Sequence, residues 1–434
     1  MSAALLSYYP KPYSFSSKIT RLLPMITSDA VVLGLLFVVL ALIFHTASFE
    51  SGFWKKFYTF VPPLLLCYFI PGLLNTFGVI SGEKSQLYPV VSQYFLPACL
   101  VFFTLGMDFK AVMSLGPKAL LVFLGGTLGV MIGGPLAIWL MKLVSPDTVG
   151  GAGADAVWRG MATIAGSWIG GGANQTALKE VFQPSDRLFS QVVAVDVIVA
   201  EFWMALLIYG AGVAPRIDRY FGADASSIDQ LRDKLAHAQN ASQRIPTLND
   251  LIQIAAAGFG ATGVAHFLAN LIVPFIKTNY PNLERFSLTS SFFWVVSVAT
   301  LIGIGLSFTR LRRLEFAGAS KIGSLFLYVL VATIGMKMDL FAVADNPKLF
   351  AVGLIWMATH AAVTLVVAKW VKAPFFFTAV GSQANVGGAA SAPVVAAAFH
   401  PSLASVGVLL AILGYALGTY CGYLTGLAMQ WVAE

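Results

Sequence analysis

The segment Gly166-Ser167-Trp168-Ile169-Gly170-Gly171-Gly172-Ala173-Asn174-Gln175 lies inside an apolar stretch that otherwise reads as an ordinary membrane helix. Its four glycines in seven residues forfeit about 4 kcal/mol of helix propensity relative to alanine, at about 1 kcal/mol each. The helix is expected to break here. A break at bilayer depth frees backbone N–H and C=O groups that lipid cannot satisfy, so it survives only where protein or water surrounds it. Ser167, Asn174 and Gln175 gather at the break, and each costs roughly a few kcal/mol if buried without a partner. A facing segment or a bound solute is therefore expected.

Gly381-Ser382-Gln383-Ala384-Asn385-Val386-Gly387-Gly388-Ala389-Ala390-Ser391 repeats the theme. Phe182-Gln183-Pro184-Ser185 follows the first segment and Phe399-His400-Pro401-Ser402 the second. Upstream, Phe103-Thr104-Leu105-Gly106-Met107-Asp108 and Ala332-Thr333-Ile334-Gly335-Met336-Lys337-Met338-Asp339 end corresponding helices, and Pro117-Lys118 and Pro347-Lys348 open the next ones. These anchors predict an internal duplication. Paired interrupted helices in two related halves are the sequence pointer to the binding site of a secondary transporter.

Composition points the same way. With 58% hydrophobic and 11% charged residues over 434 positions, the chain carries more apolar surface than a soluble domain can bury. It reads as an all-α polytopic membrane protein, with the lipid bilayer and a small-molecule substrate as partners; a homodimer is left open. The net charge of +7 is spread through short loops without a run of five basic residues, which suits a positive-inside bias and excludes a nucleic-acid patch. Cys67, Cys99 and Cys421 have no metal-like spacing, and no Walker, GxSxG or HExxH motif occurs, so neither an enzyme nor a cofactor nor a transition metal is expected.

In chain order, a basic N-terminal tail (1–29) with Lys11, Lys18 and Arg21 precedes a first membrane repeat (30–215), a polar linker (216–248) with a surface helix around Ser227 to Ala241, and a second repeat (249–434). Apolar stretches near Ala30–Phe44, Phe57–Ile80, Val91–Met107, Ala119–Val144, Val157–Val181 and Leu188–Val213 are matched by Leu251–Ile276, Leu288–Phe308, Ile322–Met336, Leu349–Val371, Phe375–Ala398 and Leu403–Val432. The expectation is thus two duplicated halves of five or six helices, each with a discontinuous helix. The basic tail and the loop holding Arg310, Arg312, Arg313 and Lys321 place the N-terminus and the linker on the cytoplasmic side of the cell (inner) membrane. Six spans per half would make the two broken segments run in the same direction. Either one span is miscounted or the repeats are parallel; two crossing breaks with opposed half-helix dipoles make one ion site more readily, which favours the miscount.

The G-S-x-x-G-G-G-A-N-Q segment, its partner G-S-Q-A-N-V-G-G-A-A-S-A-P and the G-M-x-x-D helix ends resemble the YjcL-like family of uncharacterised membrane proteins, over nearly the whole chain from about Met25. That family is similar to the bile acid:sodium symporters and the wider cation/proton antiporter superfamily. The resemblance implies a core domain with two crossing discontinuous helices, a panel domain, and coupling ions held by Ser, Asn, Gln and acidic groups. Ala173-Asn174, Gln383 and Asn385 take the places of the symporters' ion ligands, while the glutamate of their second broken helix has no counterpart.

Two acids lie near the middle of the helix after the first break. Asp196 and Glu201 are five residues apart, about 500° around a helix, so they point to different faces. An acid at that depth costs about 2.5 to 3.5 kcal/mol on insertion scales and marks a functional position; by the resemblance, Asp196 is the ion-binding one. A Na⁺, or a proton through Asp196, is expected at Ser167, Asn174, Gln175, Asp196, Gln383 and Asn385. A small organic anion or zwitterion is expected against Gly170, Gly171, Gly172, Ser382, Gly387, Gly388, Ser391, Thr104 and Thr333. His266 and His360 read as hydrogen-bonded structural residues, Asp108 and Asp339 as helix caps, and Trp158 and Trp168 as packing residues or a cavity lining. A cation/proton antiporter without organic substrate, and a membrane-bound sensor or binding protein, are the alternative readings.

Overall fold

The computed structural model describes residues 26–49, 51–61, 63–224, 228, 245–286, 288–338, 345–400 and 403–434. The expected linker helix, most of the N-terminal tail, Asp339, Pro401 and Ser402 lie outside the described residues. All twelve apolar stretches fall on helix: α1 (Asp29–Ala47), α2 (Gly52–Phe60), α3 (Pro63–Thr76), α4 (Leu87–Leu105, with a π-helical turn at Val91–Phe95), α5 (Phe109–Ser114), α6 (Pro117–Val144), α7 (Val157–Phe182), α8 (Asp186–Gly212), α9 (Ala214–Phe221), α10 (Leu248–Asn279), α11 (Ser291–Ser307), α12 (Ala319–Gly335), α13 (Leu349–Trp370), α14 (Phe375–Val386), α15 (Gly388–Phe399) and α16 (Ala404–Ala433). By length and composition seven of these helices can cross a membrane, or up to nine if each of two bent pairs is one span.

The glycine-rich segments do not cross. Helix α7 departs from helical dihedrals at Gly171 (φ 75°, ψ −177°) and its two ends lie side by side. Arg159 Nη1 donates to the Phe182 carbonyl at 2.7 Å, the Trp158 and Phe182 rings are 5.6 Å apart, and Ser185 N donates to the Ala154 carbonyl at 2.8 Å. A continuous helix of 26 residues would hold its ends about 37 Å apart at 1.5 Å per residue. The chain therefore enters, turns at Gly171 and returns. Helices α14 and α15 form a second hairpin, turning at Gly387 and Gly388 (φ 59°), with Phe375 and Phe376 6.2 and 5.2 Å from the Phe399 ring.

Two hairpins in place of two crossings change the orientation of everything after them. Helices α6 and α13 pack antiparallel: Lys118 Nζ donates to the Lys372 carbonyl at 2.9 Å at one end, and Asn346 Nδ2 donates to the Thr148 carbonyl at 3.1 Å at the other. The first hairpin opens on the face that holds Asp29 and Glu434, and the second opens on the face that holds the linker. The expectation that N-terminus and linker share one side is thereby corrected. At the start of α1, Asp29 accepts from Ser85 Oγ at 2.7 Å on the same face as Glu180 and Lys337, whereas Asp218, just before the linker, accepts from Phe375 N at 2.7 Å on the opposite face. That bond also moves the linker's beginning: residues 216–221 belong to α9, which is docked under the second hairpin and packs against α13 and α14.

This topology predicts the sidedness of engineered thiols. With Cys67, Cys99 and Cys421 replaced by alanine, Glu83→Cys and Asp147→Cys should react with an impermeant maleimide from one side of sealed vesicles, and Lys110→Cys and Arg216→Cys only from the other. Labelling of all four from one side would contradict the antiparallel arrangement.

Candidate functional site

The tips of the two hairpins meet in the protein interior. A methyl group placed on Gly388 would lie 3.5 Å from Cα of Gly171, and one placed on Gly171 would lie 3.3 Å from the Tyr415 ring of α16. Both tip residues have positive φ, a conformation that costs a residue with a Cβ about 1–2 kcal/mol. The Phe103 ring of α4 stacks on Tyr415 at 4.4 Å and closes the other side.

Beneath the first tip sits Asp196, 4% exposed. Trp168 Nε1 donates to Oδ1 at 2.5 Å and Gln175 Nε2 to Oδ2 at 2.8 Å, and the Ser167 side chain is bonded to the same carboxyl. Gln175 Oε1 in turn accepts from Tyr68 at 3.4 Å. Both arms of the hairpin thus hang on one carboxylate, and among the described residues no lysine or arginine is bonded to it. Glu201 is half-buried on another side of α8, with no hydrogen bond or ion pair among the described residues.

The two asparagines act as locks. Asn174 Nδ2 donates to the Gly170 carbonyl at 2.7 Å while its Oδ1 accepts from Thr419 at 2.5 Å. Asn385 Nδ2 donates to the Gly381 and Phe123 carbonyls at 3.0 and 2.9 Å while its Oδ1 accepts from Thr127 at 2.7 Å. Each amide satisfies a carbonyl beside a break and ties that hairpin to a neighbouring helix. Asn174 and Asn385, expected as ion ligands, each use one acceptor position of the amide oxygen for a threonine hydroxyl.

The second hairpin carries its own polar chain. Trp203 Nε1 donates to Ser382 Oγ at 2.8 Å, and Ser382 Oγ lies 2.7 Å from His360 Nε2, whose Nδ1 lies 2.9 Å from the Gly126 carbonyl. A carbonyl can only accept, so Nδ1 carries the proton and Nε2 accepts from the serine. Gln383 Nε2 donates to Ser391 Oγ at 2.8 Å, leaving Gln383 Oε1 buried without a partner. That oxygen is a free acceptor close to the tip of the second hairpin.

Of the residues expected at the site, Ser167, Gly170, Gly171, Gly172, Asn174, Gln175, Ser382, Gln383, Asn385, Gly387, Gly388 and Ser391 lie on the two hairpins, and Asp196 joins them. Thr104 and Thr333 do not: each hydroxyl folds back on its own helix, to the Leu100 carbonyl at 2.7 Å and the Leu330 carbonyl at 2.7 Å, and Thr104 packs against Gly303. The neighbouring Phe103 faces the tips instead. His266 is half-buried, 2.9 Å from the Gln93 carbonyl, and Asp108 caps α5 and pairs with Arg312 at 3.2 Å. Sequence reading missed Tyr415, Thr127, Thr419 and Trp203, which reach the hairpins from distant helices. Tyr415 and Thr419 had a signal, standing in a helix with glycine at every fourth position from Gly414 to Gly426. Trp158 lines a cavity of about 770 Å³ with Arg159, Glu180 and Lys277 at the base of the first hairpin.

A family described as a protein of unknown function (DUF819) matches residues 34–432. The chain belongs to that family. It is also similar to the uncharacterized membrane protein YjcL of Bacillus subtilis (strain 168), 23% identical over 359 residues, which covers 80% of this chain and 85% of the relative.

Two substitutions test the construction. Asp196→Asn sets an amide N–H against a ring of donors and should cost about 1–3 kcal/mol, read as a lower melting temperature in detergent; an unchanged value would mean that the carboxylate does not hold the hairpin. Gly171→Ala should also lower it, since it puts a Cβ on a residue held at positive φ at the crowded tip, while Gly172→Ala, whose nearest neighbour would be Leu327 at 3.9 Å, should have a much smaller effect.

Proposed function

We propose that this membrane protein is a secondary active transporter that carries a small organic anion or zwitterion by alternating access, coupled to Na⁺ or to a proton carried at Asp196. The observation that carries this reading is the pair of hairpins that enter from opposite faces and touch at their glycine tips. Each tip exposes the ends of two helix arms, whose terminal N–H and C=O groups have no partner within their own helix, an arrangement that persists at membrane depth only where protein, a protected cavity or a bound solute answers them. The unpartnered Gln383 Oε1 offers a cation an oxygen ligand there, and Asp196 offers the nearest fixed negative charge. One charge moved through 100 mV contributes about 2.3 kcal/mol, enough to drive accumulation.

Packing supports two inverted halves that rock against each other. Counterparts meet in pairs: α4 with α12, α6 with α13, and the first hairpin with the second. We read α6, α8, α13, α16 and the hairpins as the moving core, and α1, α3, α4, α10, α11 and α12 as the panel. Few polar bonds cross between them on the face where the first hairpin opens. Lys337, just past α12, pairs with Asp186 at 3.4 Å, and Tyr88 of α4 is bonded to Glu180 and to Lys179 at 3.1 Å. These must break if the core moves. The opposite face gathers Lys55, Lys56, Lys110, Arg216, Arg310 and Arg313, which supports a cytoplasmic linker and an N-terminus on the other side.

A cation/proton antiporter without organic substrate is the second reading, favoured by the single carboxylate at the tips and the absence of any cation bonded to it among the described residues. Melting temperature in detergent, measured as NaCl replaces KCl at constant ionic strength, separates the two. Sodium coupling predicts a rise of several degrees in wild type that Gln383→Ala and Asn174→Ala lose. A pH-dependent shift lost in Asp196→Asn, without any sodium effect, would establish the proton reading; neither response would remove ion coupling altogether.

A further inference from the structure

The 3₁₀ segment Arg310–Ala317 lies across the end of α11, bent from it by 97°. A 3₁₀ helix has three residues per turn, so side chains three apart stand on one line. Leu311, Leu314 and Ala317 form the inward line, with Leu314 and Ala317 buried. Arg312 and Glu315 stand on the flank and are both engaged: Arg312 pairs with Asp108 at 3.2 Å, and Glu315 accepts from Ser320 N at 3.2 Å and from Ser320 Oγ at 2.5 Å. The outward line is Arg310, Arg313 and Phe316, all exposed. Among the described residues neither of these arginines has a hydrogen bond or ion pair, and Asp108 and Glu315 are engaged by Arg312 and Ser320. Phe316 is 46% exposed and Phe308, at the end of α11, 70%.

We propose that this edge binds the headgroup of an anionic phospholipid on the linker face. A segment running across the end of a membrane helix lies at headgroup depth; large exposed aromatic rings fit that zone, and two unpaired guanidinium groups one turn apart match a phosphodiester, which arginine binds through its planar fork of donors. Charge complementarity selects the occupant: the aromatic side chains need an acyl boundary, which a soluble phosphate does not provide. The bound lipid would hold the end of α11 in register with the bilayer surface. The inference does not depend on the transport reading.

The test is thermal stability of the full-length protein in mixed micelles. Phosphatidylglycerol should raise the melting temperature by several degrees over an equal mole fraction of phosphatidylcholine, and the Arg310→Gln/Arg313→Gln double variant should lose most of that difference while matching wild type in phosphatidylcholine. Lysine at both positions should restore part of it. A phosphatidylglycerol effect that survives the double variant, the absence of any difference in wild type, or an equal rise with glycerol phosphate alone would each overturn the proposal.

Discussion

The structure depends on one constraint: backbone polar groups freed inside a bilayer must find partners within the protein. Each glycine-rich turn exposes the ends of two helix arms, and each is answered locally. Asn174 and Asn385 each close on the carbonyl four residues back and borrow a threonine hydroxyl from a packed helix. For those helices to come close enough, their facing sides must be small. A methyl on Gly418 of α16 would lie 2.7 Å from the Asn174 side chain, and one on Gly126 of α6 2.9 Å from Asn385 Nδ2. The glycine stripes on α16 and α6 follow from the hairpins they cradle, as small residues do wherever membrane helices approach closely.

The two hairpins share this scaffold and differ in their polar groups. The first converges on the buried carboxyl of Asp196, which among the described residues is held by the neutral donors Trp168 and Gln175. The second converges on a neutral histidine through Ser382, and its Gln383 keeps a free oxygen. Such an asymmetry has a physical use. A carboxylate at each tip would repel its neighbour across a short, poorly screened gap, whereas one carboxylate and one neutral acceptor leave room for a single added cation or proton.

Much of this was legible in the chain. Glycine runs, repeated Gly-Ser and Phe-x-Pro-Ser contexts and the apolar stretches gave the helices and picked out most of the hairpin residues, because helix propensity and apolar length are local properties. The path of the chain at Gly171 was not legible. A glycine run says that the helix breaks, but whether it continues or returns depends on a single φ/ψ pair and on what receives the returning arm. That one ambiguity carried the span count, the sidedness of the N-terminus and the direction of the second half with it. Thr104 and Thr333 were placed at the site by depth along their helices, yet facing is set by packing against α11 and α12's own backbone, and Phe103 holds the position instead. Partners such as Tyr415, Thr127 and Thr419 come from helices far apart in sequence, where no periodicity marks which threonine or tyrosine turns inward.

A hairpin differs from a simple break in what it presents at its tip. The incoming arm ends there with its carbonyls and the returning arm begins there with its N–H groups, so each tip offers a partial negative and a partial positive end side by side. Two such tips in contact place carbonyl ends and N–H ends side by side at the centre of the molecule. Two broken helices that cross in parallel would instead stack like ends on like. The reversal at Gly171 and its counterpart at Gly388 therefore sets the pairing of opposite dipole ends at the centre of the molecule as well as the topology of the fold.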